Sequence, residues 1–200
     1  MPGGDTPRSR RSRETHERII DAALDLFLES GYGPTSIDQI AAAAGIGRRT
    51  FFRYFPSKEA ILFGDLLARQ RWALDALRAR PSAEDPLQSL LAVFTGLCDQ
   101  PIDAGRRARV RAIVRRYPEL QGIERRIAVN DFEEALVQVA LTRDSVGVPE
   151  ETIRVLTSTA LACVESAWRV QISNGRTSLA AHFASMVEAC AIHWGHAARK

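Results

Sequence analysis

Apolar residues recur at helical spacing through this chain, first as Ile19, Ile20, Ala23, Leu24, Phe27 and Leu28, with Arg18, Asp21, Asp25 and Glu29 on the opposite face. The pattern predicts a helix from Glu14, stopped by Gly31 and Gly33-Pro34. Thr35 or Ser36 caps a second helix, which turns Ile37, Ile40, Ala41 and Ala44 inward and ends at Gly45. A short aromatic helix near Arg48 to Tyr54 stops before Pro56. Ser57 caps a long one that runs through Ile61, Leu62, Leu66, Leu67 and Leu74 to about Ala79. Pro81 and Pro86 punctuate the next junction, and Leu87, Leu90, Leu91, Phe94 and Leu97 form a helix broken at Gln100-Pro101. Helices follow at 104–116, 119–142, 150–173 and 178–198, the last two meeting at Asn174-Gly175. No stretch combines β-branched enrichment with strict alternation. The reading is all-α, with about nine helices.

The segment Thr35 to Lys58 is two short helices around a glycine-containing turn, with a third helix beginning after Pro56-Ser57. That is a helix-turn-helix, whose second helix is shaped for the major groove of DNA. Residues 1–13, rich in Pro, Gly, Ser and Arg, are expected to be a flexible arm. Residues 14–60 are then a three-helix DNA-binding domain and residues 61–200 a larger helical body.

Composition narrows this picture. Two hundred residues can bury roughly 70% of the unfolded surface. A hydrophobic share of 46% with 26% charged residues is ordinary for a folded chain. The net charge of +3, from 27 basic and 24 acidic residues, makes any nucleic-acid footprint local. Cys98, Cys163 and Cys190 are far apart and form no CxxC, as expected of reduced thiols in a cytoplasmic protein. No apolar leader or membrane-length run is visible, so no membrane partner is expected. His16, His182, His193 and His196 lack HExxH spacing, and no Ser, Cys or Asp sits in a nucleophile-elbow context. Neither an enzyme nor a metal site is expected, and no cofactor.

Arg48 and Arg49 open the recognition helix, where N-terminal residues reach base edges. A guanidinium fork can bond O6 and N7 of guanine together. Thr50 suits a phosphate or a thymine methyl, while Arg53, Tyr54 and Lys58 are placed for flanking phosphates. Phe51 and Phe55 read as core wedges. The competing reading makes Arg48 and Arg49 one solvated face, the commoner fate of charge pairs. Arg8, Arg10, Arg11 and Arg13 suit a minor groove or the DNA backbone, and equally a solubilising tail.

The run AAAAGIGRRTFFRYFPSKEAIL resembles the signature AxxxGvsxgtlYxyFxsKexLl of the TetR family of bacterial one-component regulators. FLESGYGPTSI fits the same family, and the close likeness covers about residues 14–64. The resemblance implies base or adjacent-phosphate contacts from Arg48, Arg49 and Thr50 and a phosphate anchor at Lys58; Ser36 is a further expected DNA contact, beside Arg53 and Tyr54. Phe52 departs from it, because the family usually has tyrosine there and the phenyl ring lacks the hydroxyl. RRTFFRYFPSK is also similar to an actinobacterial branch that includes regulators of mycofactocin clusters, which implies acyl-CoA ligands.

The family implies a C-terminal body that dimerises and holds a small-molecule effector, largely apolar or acyl-CoA-like, whose binding releases operator DNA. Phe94, Cys98, Val110, Val114, Cys163, Ala167 and Trp168 lie on the helices that would surround the pocket, although each also reads as ordinary core. Leu179, Phe183, Met186 and Cys190 form a stripe for a homodimer interface, beside a second stripe of Ala180, Ala184, Val187, Ala191 and Trp194. The same stripes suit the core of a monomer. Arg106, Arg107, Arg109, Arg111, Arg115 and Arg116 suit an anionic ligand, or pairing with acids such as Glu119 and Glu124. The function expected is a repressor reading palindromic double-stranded DNA. The alternative is an architectural or protein-interacting helical module without a ligand.

Overall fold

The computed structural model describes residues 6–143, 147–174 and 178–197, with side chains described except at 168–174 and 190–197. Its α-helices are α1 (Pro7–Glu29), α2 (Ile37–Ala43), α3 (Arg48–Tyr54), α4 (Lys58–Arg78), α5 (Pro86–Asp99), α6 (Ala104–Arg116), α7 (Pro118–Arg125), α8 (Phe132–Arg143), α9 (Glu150–Asn174) and α10 (Leu179–Ala197). A π-helical segment, Arg126–Asp131, joins α7 to α8. The described residues therefore form nine helical runs and no strand, as the periodicity predicts.

By compactness the chain divides into Met1–Asp65 with Ile102–Glu124, and Leu66–Pro101 with Arg125–Lys200. In the first unit, α1 buries Ile19, Ile20, Ala23, Leu24 and Phe27, and Ile40 and Phe51 of α2 and α3 are likewise fully buried. α6 packs on α1. Gly31 turns the chain out of α1 with φ +92°, and a Cβ there would lie 2.8 Å from the Tyr117 hydroxyl. That hydroxyl accepts a hydrogen bond from the Tyr32 backbone N–H at 2.9 Å. The close approach explains a glycine at this position.

The start of α1 differs from expectation. Thr6 caps it, its hydroxyl accepting from the Ser9 N–H at 3.2 Å, and Pro7 occupies the first turn. Proline suits that turn because its missing N–H would have no helical partner there. Seven residues expected in a flexible arm, Pro7 to Arg13, are thus helical. The arginines among them lack apolar periodicity, so only the cap marks this start.

In the second unit, α5 opens on Asp85, which accepts from the Gln88 N–H at 3.1 Å, with Pro86 in its first turn. Leu90, Val93, Phe94 and Leu97 of α5 are buried, as are Ala167 of α9 and Phe183 of α10, while Val137 and Ala140 of α8 cluster with Ile153 of α9. Glu84 bonds Arg80 and the buried Ser89. Hydrogen bonds from Arg80 and then Ser89 hold its carboxyl down at about 2. The stretch 119–142 has a π turn rather than uninterrupted α-helix. Such a turn shifts the carbonyls out of register, and the side-chain amide of the buried Gln70 donates to the Ile127 carbonyl at 2.9 Å.

Candidate nucleic-acid interface

Local chemistry at both ends of α2 sets the helix-turn-helix. Ser36 and Gln39 form a reciprocal capping box. The Gln39 N–H donates to Ser36 Oγ at 3.2 Å, and the Ser36 N–H donates to Gln39 Oε1 at 2.8 Å. At the other end Gly45 has φ +67°. Its N–H donates to the Ala42 carbonyl at 3.0 Å, and the Ile46 N–H reaches the Ala41 carbonyl at 2.9 Å. This is a Schellman closure, which needs a left-handed residue where glycine stands. Gly47 then starts α3 without a side-chain cap.

α3 is two-sided. Phe51 is fully buried, Phe55 follows it at 4% exposure, and His16 of α1 stacks on Phe55 with centroids 4.8 Å apart. The opposite side exposes Arg48, Arg49, Phe52 and Arg53, and the helix carries no acidic residue. Thr50 is half-buried. Arg49 has no ion-pair partner among the described residues. Arg53 lies over the Tyr54 ring, 5.2 Å from its centroid. The Tyr54 hydroxyl accepts from Ser12 Oγ at 3.4 Å, and bonds from Ser12 and then Arg53 hold the phenol below its usual range. Phe52 is 44% exposed, a large apolar surface on the basic face.

Two expected contacts have other duties here. The Ser36 hydroxyl is engaged in the capping box. The Lys58 ammonium donates to the Tyr32 and Thr35 carbonyls, at 2.9 and 2.8 Å, and sits 4.5 Å from the centroid of the Tyr32 ring. Tyr32 in turn donates to Glu59. Burial, then that bond, pushes the Tyr32 phenol far up. Burial also acts to raise Glu59, but bonds from Tyr32 and Ser57 outweigh it and hold the carboxyl below its usual range. Lys58 thus ties the α1–α2 turn to the start of α4.

The remaining expected site residues are dispersed. Val110 and Val114 belong to α6 in the first unit. Phe94, Cys98, Cys163 and Ala167 are buried core of the second, and burial pushes the Cys98 thiol up to about 11. A groove of about 200 Å³ in that unit is lined by none of these but by Leu67, Gln70, Arg71, Leu74, Ile127, Asp131, Phe132 and Ala135. The side chains of Trp168 and Cys190 lie outside the described residues. Leu179 and Phe183, expected at a dimer interface, lie in the core of the single chain. They are 3% and 1% exposed within one protomer, with Phe183 6.1 Å from Phe94, so the chain itself already covers them. Met186 is half-buried.

The arginine cluster also finds other partners. Arg106 pairs with Glu17, and Arg109 pairs with Asp25 and, at 3.1 Å, with Asp21. These acids lie on α1.

The arrangement defines a helix-turn-helix protein with a basic, solvent-facing recognition helix. Residues 19–63 match the bacterial regulatory proteins of the tetR family. Over 157 residues the chain is 31% identical to the HTH-type transcriptional regulator TcmR of Streptomyces glaucescens, covering 75% of this chain and 69% of that one. It is 41% identical over 115 residues to the putative mycofactocin biosynthesis transcriptional regulator MftR of Mycobacterium tuberculosis, covering 56% and 57%. Among solved structures it resembles SmeT, the repressor of the Stenotrophomonas maltophilia multidrug efflux pump SmeDEF, with TM-score 0.54, 20% identity and 89% of each chain covered. The chain belongs to the TetR family and is a transcriptional regulator.

Proposed function

We propose that the protein is a ligand-responsive repressor that binds palindromic operator DNA as a homodimer, and that a small, largely apolar effector releases it. The observation that carries the reading is the two-sided α3. Its buried Phe51 anchors the helix while Arg48, Arg49 and Arg53 stay in solvent. Arg48 and Arg49 read base edges, and Thr50, Arg53 and Tyr54 meet adjacent phosphates. One such helix covers a half-site. A palindrome is read by two, about 34–36 Å apart. The exposed Ala184 and half-buried Met186 and Val187 of α10 are the surface we assign to the second copy. No helix among the described residues is long and apolar enough to cross a membrane, and the site of action we propose is the cytoplasm, with the DNA.

The effector is assigned to the second unit, at the groove walled by the π segment. At about 200 Å³ the groove is below the roughly 300–1,000 Å³ of a typical small-molecule site. A larger occupant therefore has to part its walls, and the Gln70–Ile127 bond is the contact that yields. The apolar class follows from Leu67, Leu74 and Phe132 in the lining. An acyl chain is one member of that class. Arg106 and Arg109, with α1 acids as partners, are not assigned to a phosphate. Moving the population from 1:99 to 99:1 takes roughly 10⁴-fold preference, about 5.5 kcal/mol.

Selection of sites from genomic DNA with the purified protein tests the reading. A palindromic consensus is expected, with affinity falling about 10³–10⁵ between roughly 50 and 200 mM salt if some 6–10 phosphates are met. Binding without sequence preference would favour an architectural module instead. Filling the groove with Ala135→Trp is expected to block release while leaving operator affinity intact. An equal fall in operator affinity would make the groove structural.

A further inference from the structure

Arg48 is held in place before any DNA arrives. Its Nη1 donates to both carboxylate oxygens of Asp38, at 2.8 Å each, and its guanidinium lies over the Phe52 ring, 5.4 Å from the centroid. Asp38 stands in the first turn of α2, where the helix dipole favours an anion. Arg48 opens α3, where the dipole disfavours a cation. The pair offsets that second effect. Its side chains are 58% and 67% exposed, so in water it adds little to folding stability. Its consequence is for recognition.

Both contacts to Asp38 use one terminal nitrogen. The Nε–Nη2 edge of Arg48 has no partner among the described residues, and an edge of that shape matches O6 and N7 of guanine. A carboxylate beside the guanidinium also repels phosphate, which discourages Arg48 from closing on bare DNA backbone. We propose that Asp38 is a specificity-determining positioning residue, holding Arg48 by Nη1 so that its free edge meets a guanine and withholding it from phosphate. The proposal rests on α3 as the DNA-reading helix.

The test compares wild-type protein with Asp38→Asn, Arg48→Ala and the double variant, all full-length. Two duplexes are used: one selected from randomised DNA by the wild type, and a scrambled duplex of the same composition. Binding is followed by fluorescence anisotropy at one salt concentration. Asp38→Asn is expected to bind the scrambled duplex more tightly and to lower the selected-to-scrambled ratio by about fivefold or more, the low end for one bidentate base contact. The unfolding midpoint should stay unchanged, and the substitution should not alter the ratio further in the Arg48→Ala background. An unchanged ratio with Asp38→Asn, while Arg48→Ala lowers it, overturns this role and leaves α3 as the reading helix. An equal change in both backgrounds overturns it as well. If Arg48→Ala itself leaves binding untouched, the assignment of α3 falls too.

Discussion

Replacing Lys58 by methionine separates two roles for this side chain, phosphate anchor and internal tie. Methionine keeps most of the apolar stem and deletes the ammonium. The loss removes hydrogen bonds of 2.9 and 2.8 Å to the Tyr32 and Thr35 carbonyls, each worth roughly 1.5–3 kcal/mol for a charged donor, with the low end fitting a half-exposed site. It also removes a cation–π contact at 4.5 Å, worth about 0.5–1 kcal/mol where water reaches it. Against this, releasing a lysine side chain returns about 1.5–2 kcal/mol of rotamer entropy. The net expectation is destabilisation by about 2 kcal/mol, roughly 4–8 °C in the unfolding midpoint for a chain of this length. Thermal unfolding followed by circular dichroism reads that shift. The salt dependence of operator binding reads the other role. Two phosphate anchors in a dimer would reduce its log–log slope by about 2 on removal, and an internal tie leaves it unchanged. A variant of wild-type stability whose salt slope is reduced by that amount would refute the internal role.

Two further outcomes are expected. Gly31→Ala places a Cβ 2.8 Å from the Tyr117 hydroxyl in a backbone with φ +92°; we expect a loss of at least about 2 kcal/mol in chemical denaturation, from left-handed strain and the displaced hydrogen bond together. Glu84, held at about 2 in the folded chain against about 4.3 unfolded, contributes stability that is fully present above the unfolded value and is lost as pH falls through the folded one. Glu84→Gln should therefore be less stable than wild type at neutral pH, with the two melting curves converging as pH approaches 2. A constant gap across that range would contradict the assignment.

What was legible in the sequence was local. A capping hydroxyl at Thr35 or Ser36, Gly45 after an alanine run, and Phe51 four before Phe55 point to the cap, the turn and the buried side of α3 through contacts within a few residues, and the structure chooses Ser36 with Gln39. Partner choice across long separations was not legible. Arg106 is 89 residues from Glu17, and nothing in an arginine-rich helix says which acids will face it. The same limit hid Lys58, whose charge suits a phosphate and a pair of backbone carbonyls alike. Leu179 and Phe183 show a different ambiguity, because an intramolecular core and a subunit interface demand the same residues at the same spacing. The π segment inserts an offset that leaves no mark on composition.

The early start of α1 changes how far its arginines can travel. As an extended strand, the eight residues from Thr6 to Arg13 would span about 26 Å; wound as a helix they advance about 12 Å. Ser12 is also bonded to Tyr54 at the end of α3. Arg8, Arg10, Arg11 and Arg13 are therefore carried on the first turns of a helix whose Ser12 meets the end of α3. If α3 reads DNA as proposed, these arginines stand beside the reading helix rather than one groove away, which favours a compact footprint.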